Sequence, residues 1–282
     1  MKLLRFGLPG FEKPGALDAQ GNIRDLSSVI EDLAGSALGA ASIDALRSLD
    51  LERFPVVPST TRLGPPVAGT RNFVGIGLNY SDHAEEAGVK APDTPVVFLK
   101  SVGSLCGPND HVMLPPGARK TDWEVELAIV IGMRAQQVSV EDAHRYIAGY
   151  TVCNDLSERE WQLERGGTWD KGKSFDTFGP VGPWLVTPDE IPDVSNLDLF
   201  LDLDGKRMQT GNTRKMIFSV PELVSYCSQC LTLEPGDIIT TGTPPGVGLG
   251  KRPNIFLSHG QTMRLGVERL GEQVQRVVDP AA

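Results

Sequence analysis

Two apolar stretches near the middle of the chain carry charged residues at their ends. Residues 121–132 read TDWEVELAIVIG, so two glutamates stand two positions apart at the start of an otherwise apolar run. Strand side chains alternate between two faces, which puts Glu124 and Glu126 on one face and Val125 on the other. Residues 149–155, GYTVCND, form a second apolar run that ends in Asp155. The pattern predicts two strands with three carboxylates at their ends.

Carboxylates that lie close together indicate a metal site. Like charges repel and raise one another's pKa unless a cation lies between them. Hard divalent ions such as Mg²⁺, Mn²⁺ and Ca²⁺ prefer oxygen ligands. We therefore predict that Glu124 and Glu126 form half of a metal site, and that Asp155 completes it. One alternative stays open, because glutamates that alternate along a strand often simply face solvent.

The rest of the chain reads as a β-rich protein with many turns. A strand over residues 2–6 and a hairpin around residues 18–22 precede short amphipathic helical turns. Residues 54–67 are rich in proline and polar turn residues and are typical of a connection. We therefore predict a small N-terminal domain over residues 1–70 and a main domain over residues 71–282.

A histidine and a glutamate stand three positions apart where a buried strand runs into a short helix. This spacing puts His83 and Glu86 on one face of the helix, within side-chain reach of each other. A carboxylate that binds one imidazole nitrogen leaves the other nitrogen free to act as a general base. The alternative is an ordinary surface pair.

Several other polar residues stand where they could contact an anion. Lys100 ends the predicted strand over residues 95–100, and Arg159 and Gln162 follow Asp155 with helical spacing. Lysines at residues 171 and 173 would be suitable charge partners for a metal-bound anion. The glycine-rich loop after residue 241 could offer backbone N–H groups and the Thr243 hydroxyl.

Composition and charge exclude several classes of protein. The chain is 40% hydrophobic and 22% charged, and its formal net charge is -9. This charge argues against nucleic acid or an anionic membrane as the main partner. The N-terminal segment is interrupted by Pro9 and Gly10, and no apolar run approaches about 18 residues. We therefore expect a cytoplasmic protein that needs a local positive site to bind a small anion.

Five short motifs together resemble the fumarylacetoacetate hydrolase superfamily. They are GLNYSDH at residues 77–83, EVE at 124–126, Asp155, KGKS at 171–174 and TGTP at 241–244. The resemblance covers about residues 72–270 and is closest to a bacterial branch of 2-hydroxyhepta-2,4-diene-1,7-dioate isomerases and 2,4-diketo-3-deoxy sugar-acid hydrolases. It implies an α+β, β-rich fold, a mixed β-sandwich roll with a small N-terminal α+β appendage, and a homodimer or dimer of dimers.

The resemblance also implies roles for the site residues. Mg²⁺ or Mn²⁺ would be held by the three acids, with Lys173 beside it, and His83 and Glu86 would form a catalytic pair on a mobile lid. The substrate-binding candidates are Arg159, Gln162, Thr243 and Lys100.

The activity that this implies is hydrolysis of a carbon–carbon bond in a 2,4-diketo acid, a small anionic 2-oxo acid, to pyruvate and a carboxylic acid. The resemblance favours a diketo sugar acid such as 2,4-diketo-3-deoxyrhamnonate. Two enzymatic alternatives stay open, namely an oxaloacetate-type decarboxylase and a dienoate isomerase. A metal-bound binding protein without catalysis is a third.

Overall fold

The computed structural model describes residues 1–279, which fold into eighteen strands and five α-helices joined by turns and short 3₁₀ segments. The strands are β1 (Lys2–Phe6), β2 (Lys13–Leu17), β3 (Ile23–Asp25), β4 (Val56–Val57), β5 (Phe73–Gly77), β6 (Val96–Lys100), β7 (Leu105–Cys106), β8 (Val112–Met113), β9 (Thr121–Asp122), β10 (Val125–Ile131), β11 (Ile147–Asn154), β12 (Ser157–Glu158), β13 (Gly179–Val186), β14 (Asp198–Leu203), β15 (Lys206–Asn212), β16 (Ile238–Thr240), β17 (Thr262–Val267) and β18 (Gly271–Val278). The α-helices are α1 (Ala40–Arg47), α2 (Ser81–Ala87), α3 (Arg159–Leu163), α4 (Asp170–Lys173) and α5 (Val220–Cys230).

Most strands belong to two sheets. The larger sheet has eleven strands in the order β4-β3-β2-β1-β13-β11-β10-β16-β5-β6, with β7 paired to β13. The smaller sheet has five strands in the order β15-β14-β17-β18-β8, and β9 and β12 form a separate pair. The two sheets share one hydrophobic cluster that includes Leu127 of β10 and Leu265 of β17. The predicted α+β, strand-rich fold is therefore confirmed.

Strand β10 lies at the centre of the core because both of its faces are buried. Leu127 and Ile129 pack in the cluster that includes the smaller sheet. Ala128 and Val130 face the other way, into a cluster with Leu38 from the N-terminal segment. A strand covered on both sides needs a nearly continuous apolar sequence. Glu126 is the exception in β10, and its charge must therefore be compensated inside the protein.

The N-terminal segment extends the larger sheet. Strand β1 pairs with both β2 and β13, and β3 and β4 continue the sheet outward. Ile43 and Leu46 of α1 pack in the same cluster as Ala128 of β10. The predicted domain boundary near residue 70 stays a prediction, and the strands on its two sides share one sheet.

None of the helices in residues 1–279 is both long enough and apolar enough to span a membrane.

Candidate active site

Three acidic side chains meet where strands β10 and β11 adjoin. Val125 of β10 lies opposite Asn154 of β11 in antiparallel register, so the next residue outward on each strand is an acid. The N–H of Asp155 donates to the carbonyl of Glu124 at 2.9 Å. One carboxylate oxygen of each of Glu124, Glu126 and Asp155 lies within 4.8 Å of the others, and all three residues are buried. We call these three residues the acid triad.

Two cationic side chains form ion pairs with Glu124 of the acid triad. Lys173 Nζ donates to Glu124 Oε2 at 2.6 Å and to Asp155 Oδ2 at 2.7 Å. Arg159 Nη2 lies 2.7 Å from Glu124 Oε1. Glu126 has neither of these ion pairs, and its Oε2 accepts a hydrogen bond from the N–H of Gly242 at 2.7 Å.

The pKa shifts follow this unequal distribution of cations. Burial raises the pKa of Glu126, and the charges of Asp155 and Glu124 raise it further, to well above its ordinary value. Burial also acts to raise the pKa of Glu124, but the charges of Lys173 and Arg159 lower it below its ordinary value. Negative charge is therefore least well compensated at Glu126.

The acid triad fits a hard divalent cation. Its ligand atoms are all carboxylate oxygens, which Mg²⁺ and Mn²⁺ prefer. A cation among them would also remove the mutual repulsion that raises the pKa of Glu126. The residues that would hold it are Glu124, Glu126 and Asp155, as the sequence predicts.

Helix α2 carries a histidine–glutamate pair. His83 Nδ1 lies 3.0 Å from Glu86 Oε2, and the two carboxylate oxygens of Glu86 accept from the N–H of Gly246 at 3.0 and 3.1 Å. Burial acts to raise the pKa of Glu86, but the hydrogen bonds from His83 and Gly246 lower it below its ordinary value. The ionised glutamate orients the imidazole and leaves Nε2 as the nitrogen that is not bound to it.

A cavity of about 570 Å³ joins the histidine–glutamate pair to the acid triad. A volume of this size is usual for a small-molecule site. Its lining includes eight residues predicted from the sequence, namely His83, Glu86, Glu124, Glu126, Arg159, Gln162, Lys173 and Thr243. The arrangement can hold a small anion between a metal site and a base.

Gln162 and Thr243 are held in place by other groups in the protein. Gln162 Oε1 accepts from Arg159 Nη1 at 2.9 Å, so the amide nitrogen of Gln162 is the end that stays available. Thr243 Oγ1 donates to the carbonyl of Val125 at 2.9 Å and accepts from Gln209 Nε2 at 2.8 Å.

Lys100 is placed differently from the substrate contact predicted for it. Its side chain has no exposed surface, and it is not among the residues that line the cavity. Lys100 Nζ donates to Asp155 Oδ1 at 2.6 Å, to the carbonyl of Leu156 at 3.4 Å and to the carbonyl of Lys173. This geometry points to support of Asp155 rather than to contact with a substrate.

The glycine-rich loop uses its N–H groups for the protein's own carboxylates. Besides Gly242 and Gly246, which bond Glu126 and Glu86, the N–H of Gly248 donates to Asp122 Oδ1 at 2.6 Å. Gly242 has φ +90, and a Cβ there would lie 2.9 Å from the Cβ of Asn79. The anions bound by this loop are therefore side chains that build the site.

Asp122 is a site residue that sequence reasoning missed. It is fully buried, and it accepts from Arg159 Nε at 2.9 Å and from the N–H groups of Gly248 and Leu249 at 2.6 and 3.0 Å. It thereby joins the arginine of the site to the glycine-rich loop. The available signal was spacing, because Asp122, Glu124 and Glu126 alternate along one stretch.

The similarity of this protein to known proteins extends along the whole chain. A relative from Burkholderia cenocepacia (strain HI2424), provisionally named a hydrolase, is 59% identical over 280 residues, which is 99% of each chain. The structure of 2-hydroxyhepta-2,4-diene-1,7-dioate isomerase from Mycobacterium marinum is similar with a TM-score of 0.79 and 32% identity, and 100% of each chain is covered.

Another similar structure is that of maleylpyruvate hydrolase from Sphingobium sp. SYK-6 in complex with manganese(II) ion and pyruvate. Its TM-score is 0.79 and its identity 29%, over 100% of each chain. Residues 72–278 match the family described as fumarylacetoacetate (FAA) hydrolase C-terminal. The resemblance inferred from the five motifs is thus confirmed, and the chain belongs to the fumarylacetoacetate hydrolase family.

Proposed function

We propose that the protein is a Mg²⁺- or Mn²⁺-dependent hydrolase that cleaves a carbon–carbon bond of a 2,4-diketo acid, giving pyruvate and a carboxylic acid. The observation that carries this proposal is the shared cavity. Glu124 and Glu126 line it together with His83 and Glu86. A metal site and an oriented base that meet in one cavity are what hydrolysis of such a substrate requires.

The acid triad would hold the metal ion, and the manganese and pyruvate named for the similar maleylpyruvate hydrolase support this assignment. When bound, a divalent cation acts as a Lewis acid that polarises a substrate oxygen and stabilises negative charge that develops on it. Lys173 and Arg159 both contact Glu124 and would add positive charge near this position.

His83 is the proposed general base. Glu86 holds Nδ1, so Nε2 takes a proton from a water molecule, and the resulting hydroxide adds to the C4 carbonyl of the substrate. The bond between C3 and C4 then breaks. C4 leaves as a carboxylic acid, and the electron pair passes to C3 and the C2 oxygen as the enolate of pyruvate. Return of the proton from His83 Nε2 to C3 gives pyruvate and restores the neutral histidine.

Two residues would position the substrate. The free amide nitrogen of Gln162 would donate to the 1-carboxylate, because its oxygen is already bound by Arg159. Thr243 would offer its remaining lone pair or fix a water molecule beside the acid triad. The diketo sugar acid favoured by the resemblance is one member of this substrate class. Gln162 and Thr243 would contact the part of the substrate that all acylpyruvates share, so they do not distinguish this acid from the others.

The test is to follow loss of the ultraviolet absorbance of an enolised 2,4-diketo acid, such as acetylpyruvate, together with formation of pyruvate, with Mn²⁺ present. His83→Ala should lower kcat by roughly 100- to 10,000-fold. His144→Ala is the matched control, because His144 is exposed and its Nδ1 lies 2.8 Å from the carbonyl of Glu141.

Equal rates in the wild type and in His83→Ala would refute the assigned base. Release of carbon dioxide without a second acid would instead favour a decarboxylase, and isomerised substrate would favour an isomerase of the kind named for the similar Mycobacterium marinum structure. Tight binding without turnover would favour a binding protein.

A further inference from the structure

The histidine–glutamate pair of α2 is held in place by a distant part of the chain. Glu86 accepts from the N–H of Gly246, which is 160 positions away, at 3.0 and 3.1 Å. Its Oε2 also lies 3.0 Å from His83 Nδ1. Burial acts to raise the pKa of Glu86, but these hydrogen bonds lower it below its ordinary value, so the carboxylate is ionised and can only accept. Nδ1 of His83 therefore carries the proton, and the lone pair is on Nε2.

A second glycine of the same loop lies against this carboxylate. A Cβ on Gly250 would lie 2.7 Å from Cδ, 2.8 Å from Oε1 and 2.9 Å from Oε2 of Glu86, and these are its three nearest atoms. Real Cβ atoms essentially never make contacts shorter than 3.0 Å. The Glu86 carboxylate thus fills the space that a side chain at position 250 would need. We call Gly246 and Gly250 the carboxylate cradle.

The glycine at position 250 differs from its neighbours in the loop. At Gly246 and Gly248 a Cβ would meet the backbone carbonyl oxygens of Met208 and Ile255, so these two glycines are needed for the fold of the loop itself. At Gly250 the nearest atoms belong to the end of a flexible side chain. Gly250 lies in a 3₁₀ turn and its φ is outside the left-handed region, so its backbone can accept alanine without strain.

We propose that Gly250 is a positioning residue for the general base. The missing side chain at this position lets the Glu86 carboxylate reach His83 and Gly246 at once, and this keeps the lone pair of His83 on Nε2. The inference rests on the proposed function, which makes His83 the base. Gly250 also lines the cavity, so the carboxylate is placed at the wall of the substrate site itself.

Replacement of Gly250 by alanine tests this role. An ordinary van der Waals contact begins near 3.4 Å, so the Glu86 carboxylate carbon, at 2.7 Å, must retreat by about 0.7 Å. A displacement of this size should weaken the contact with His83 and lower kcat for acetylpyruvate by about 10- to 100-fold. KM and the affinity for Mn²⁺ should stay the same, because the atoms nearest to the new methyl group belong to Glu86 and not to the acid triad.

The matched control is Gly103→Ala. Gly103 also lies in a 3₁₀ turn with φ outside the left-handed region, and it is exposed. A Cβ there would meet Ser101 Oγ at 3.4 Å, which is an ordinary contact. This variant should keep the kcat of the wild type. Thermal unfolding of both variants should show that they fold.

A double-mutant cycle separates positioning from a general disturbance of the loop. Glu86→Ala removes the carboxylate and leaves the space in front of Gly250 empty. In that background Gly250→Ala should not lower kcat any further, since the methyl group has nothing to displace. Two independent effects on kcat would instead multiply.

The position of the proton on His83 can be measured without turnover. Nitrogen NMR of the histidine-labelled, Mg²⁺-loaded protein at about pH 9, where ordinary imidazoles are neutral, distinguishes a protonated from an unprotonated ring nitrogen. The His83 signal is the one that is missing from His83→Ala. We expect protonated Nδ1 and unprotonated Nε2 in the wild type and in Gly103→Ala. Gly250→Ala should show a mixture of the two tautomers.

The proposal is overturned if Gly250→Ala keeps the wild-type tautomer, whether or not kcat falls, or if its effect on kcat multiplies with that of Glu86→Ala. The tautomer also separates this inference from the proposed function. If the wild type does not cleave acetylpyruvate while Gly250→Ala changes the tautomer of His83, the proposed function fails and the positioning role of Gly250 stands.

Discussion

Replacement of Lys100 by methionine is expected to destabilise the protein without a direct effect on substrate binding. The change keeps a long side chain but removes the ion pair to Asp155 at 2.6 Å and the hydrogen bonds to two carbonyls. Breaking a buried ion pair from one side typically costs about 3–5 kcal/mol. Asp155 keeps Lys173 as a second partner at 2.7 Å, so we expect the lower end, about 3 kcal/mol.

The measurement is urea unfolding at pH 7, with Lys90→Met as the control. Lys90 forms a lysine–carboxylate pair of similar length, 3.0 Å to Asp93, but its side chain is 82% exposed. Removal of such a surface pair should leave the free energy of unfolding almost unchanged. A loss of less than about 1 kcal/mol in Lys100→Met would refute the reasoning. A raised KM with unchanged stability would instead restore the substrate contact predicted from the sequence.

Three further predictions concern the acid triad, helix α2 and the glycine-rich loop. Glu126→Gln should weaken Mn²⁺ binding by more than about 100-fold in calorimetry. Loss of a metal ligand should cost more affinity than loss of a residue that only supports a ligand, which costs about 10- to 100-fold. Unchanged affinity would contradict the assigned triad. The pKa of Glu86 is lowered below 4.5 in the folded protein, so the stability it contributes is present above that pH and lost as the pH falls through the lower value. The difference in unfolding free energy between the wild type and Glu86→Gln should therefore shrink between about pH 6 and pH 3, and a pH-independent difference would be the contrary result. Gly242→Ala should lower the free energy of unfolding by about 2 kcal/mol, because φ is +90 and the new Cβ would meet Asn79. Gly205→Ala is the control. Its φ is also positive, but its new Cβ would have no atom within 4 Å, so it measures the backbone strain without the clash.

The grouping of the three acids was predictable because it depends on local periodicity and strand pairing. Alternation puts Glu124 and Glu126 on one face, and the antiparallel register brings Asp155 to the same end. The same rule left the position of Lys100 open. It shares a face with Phe98, and the sequence alone does not show whether that face is covered. Its partner Asp155 is 55 positions away.

The contacts of the glycine-rich loop could not be predicted for a related reason. The sequence shows that its glycines can present N–H groups, but not which anion receives them. Gly248 bonds Asp122, which is 126 positions away, and Gly246 bonds Glu86 at a separation of 160. Such pairings depend on the packing of the two sheets. The homodimer implied by the resemblance stays a prediction, since one chain is described.

The charges around the triad explain why metal binding and anion binding should depend on each other. Four buried carboxylates, those of Asp122, Glu124, Glu126 and Asp155, face three buried cations, Lys100, Arg159 and Lys173. With all of them ionised, this group has one net negative charge and would repel a 2-oxo acid. A divalent cation changes the balance to one net positive charge. The single negative charge of the 2-oxo acid carboxylate then cancels it.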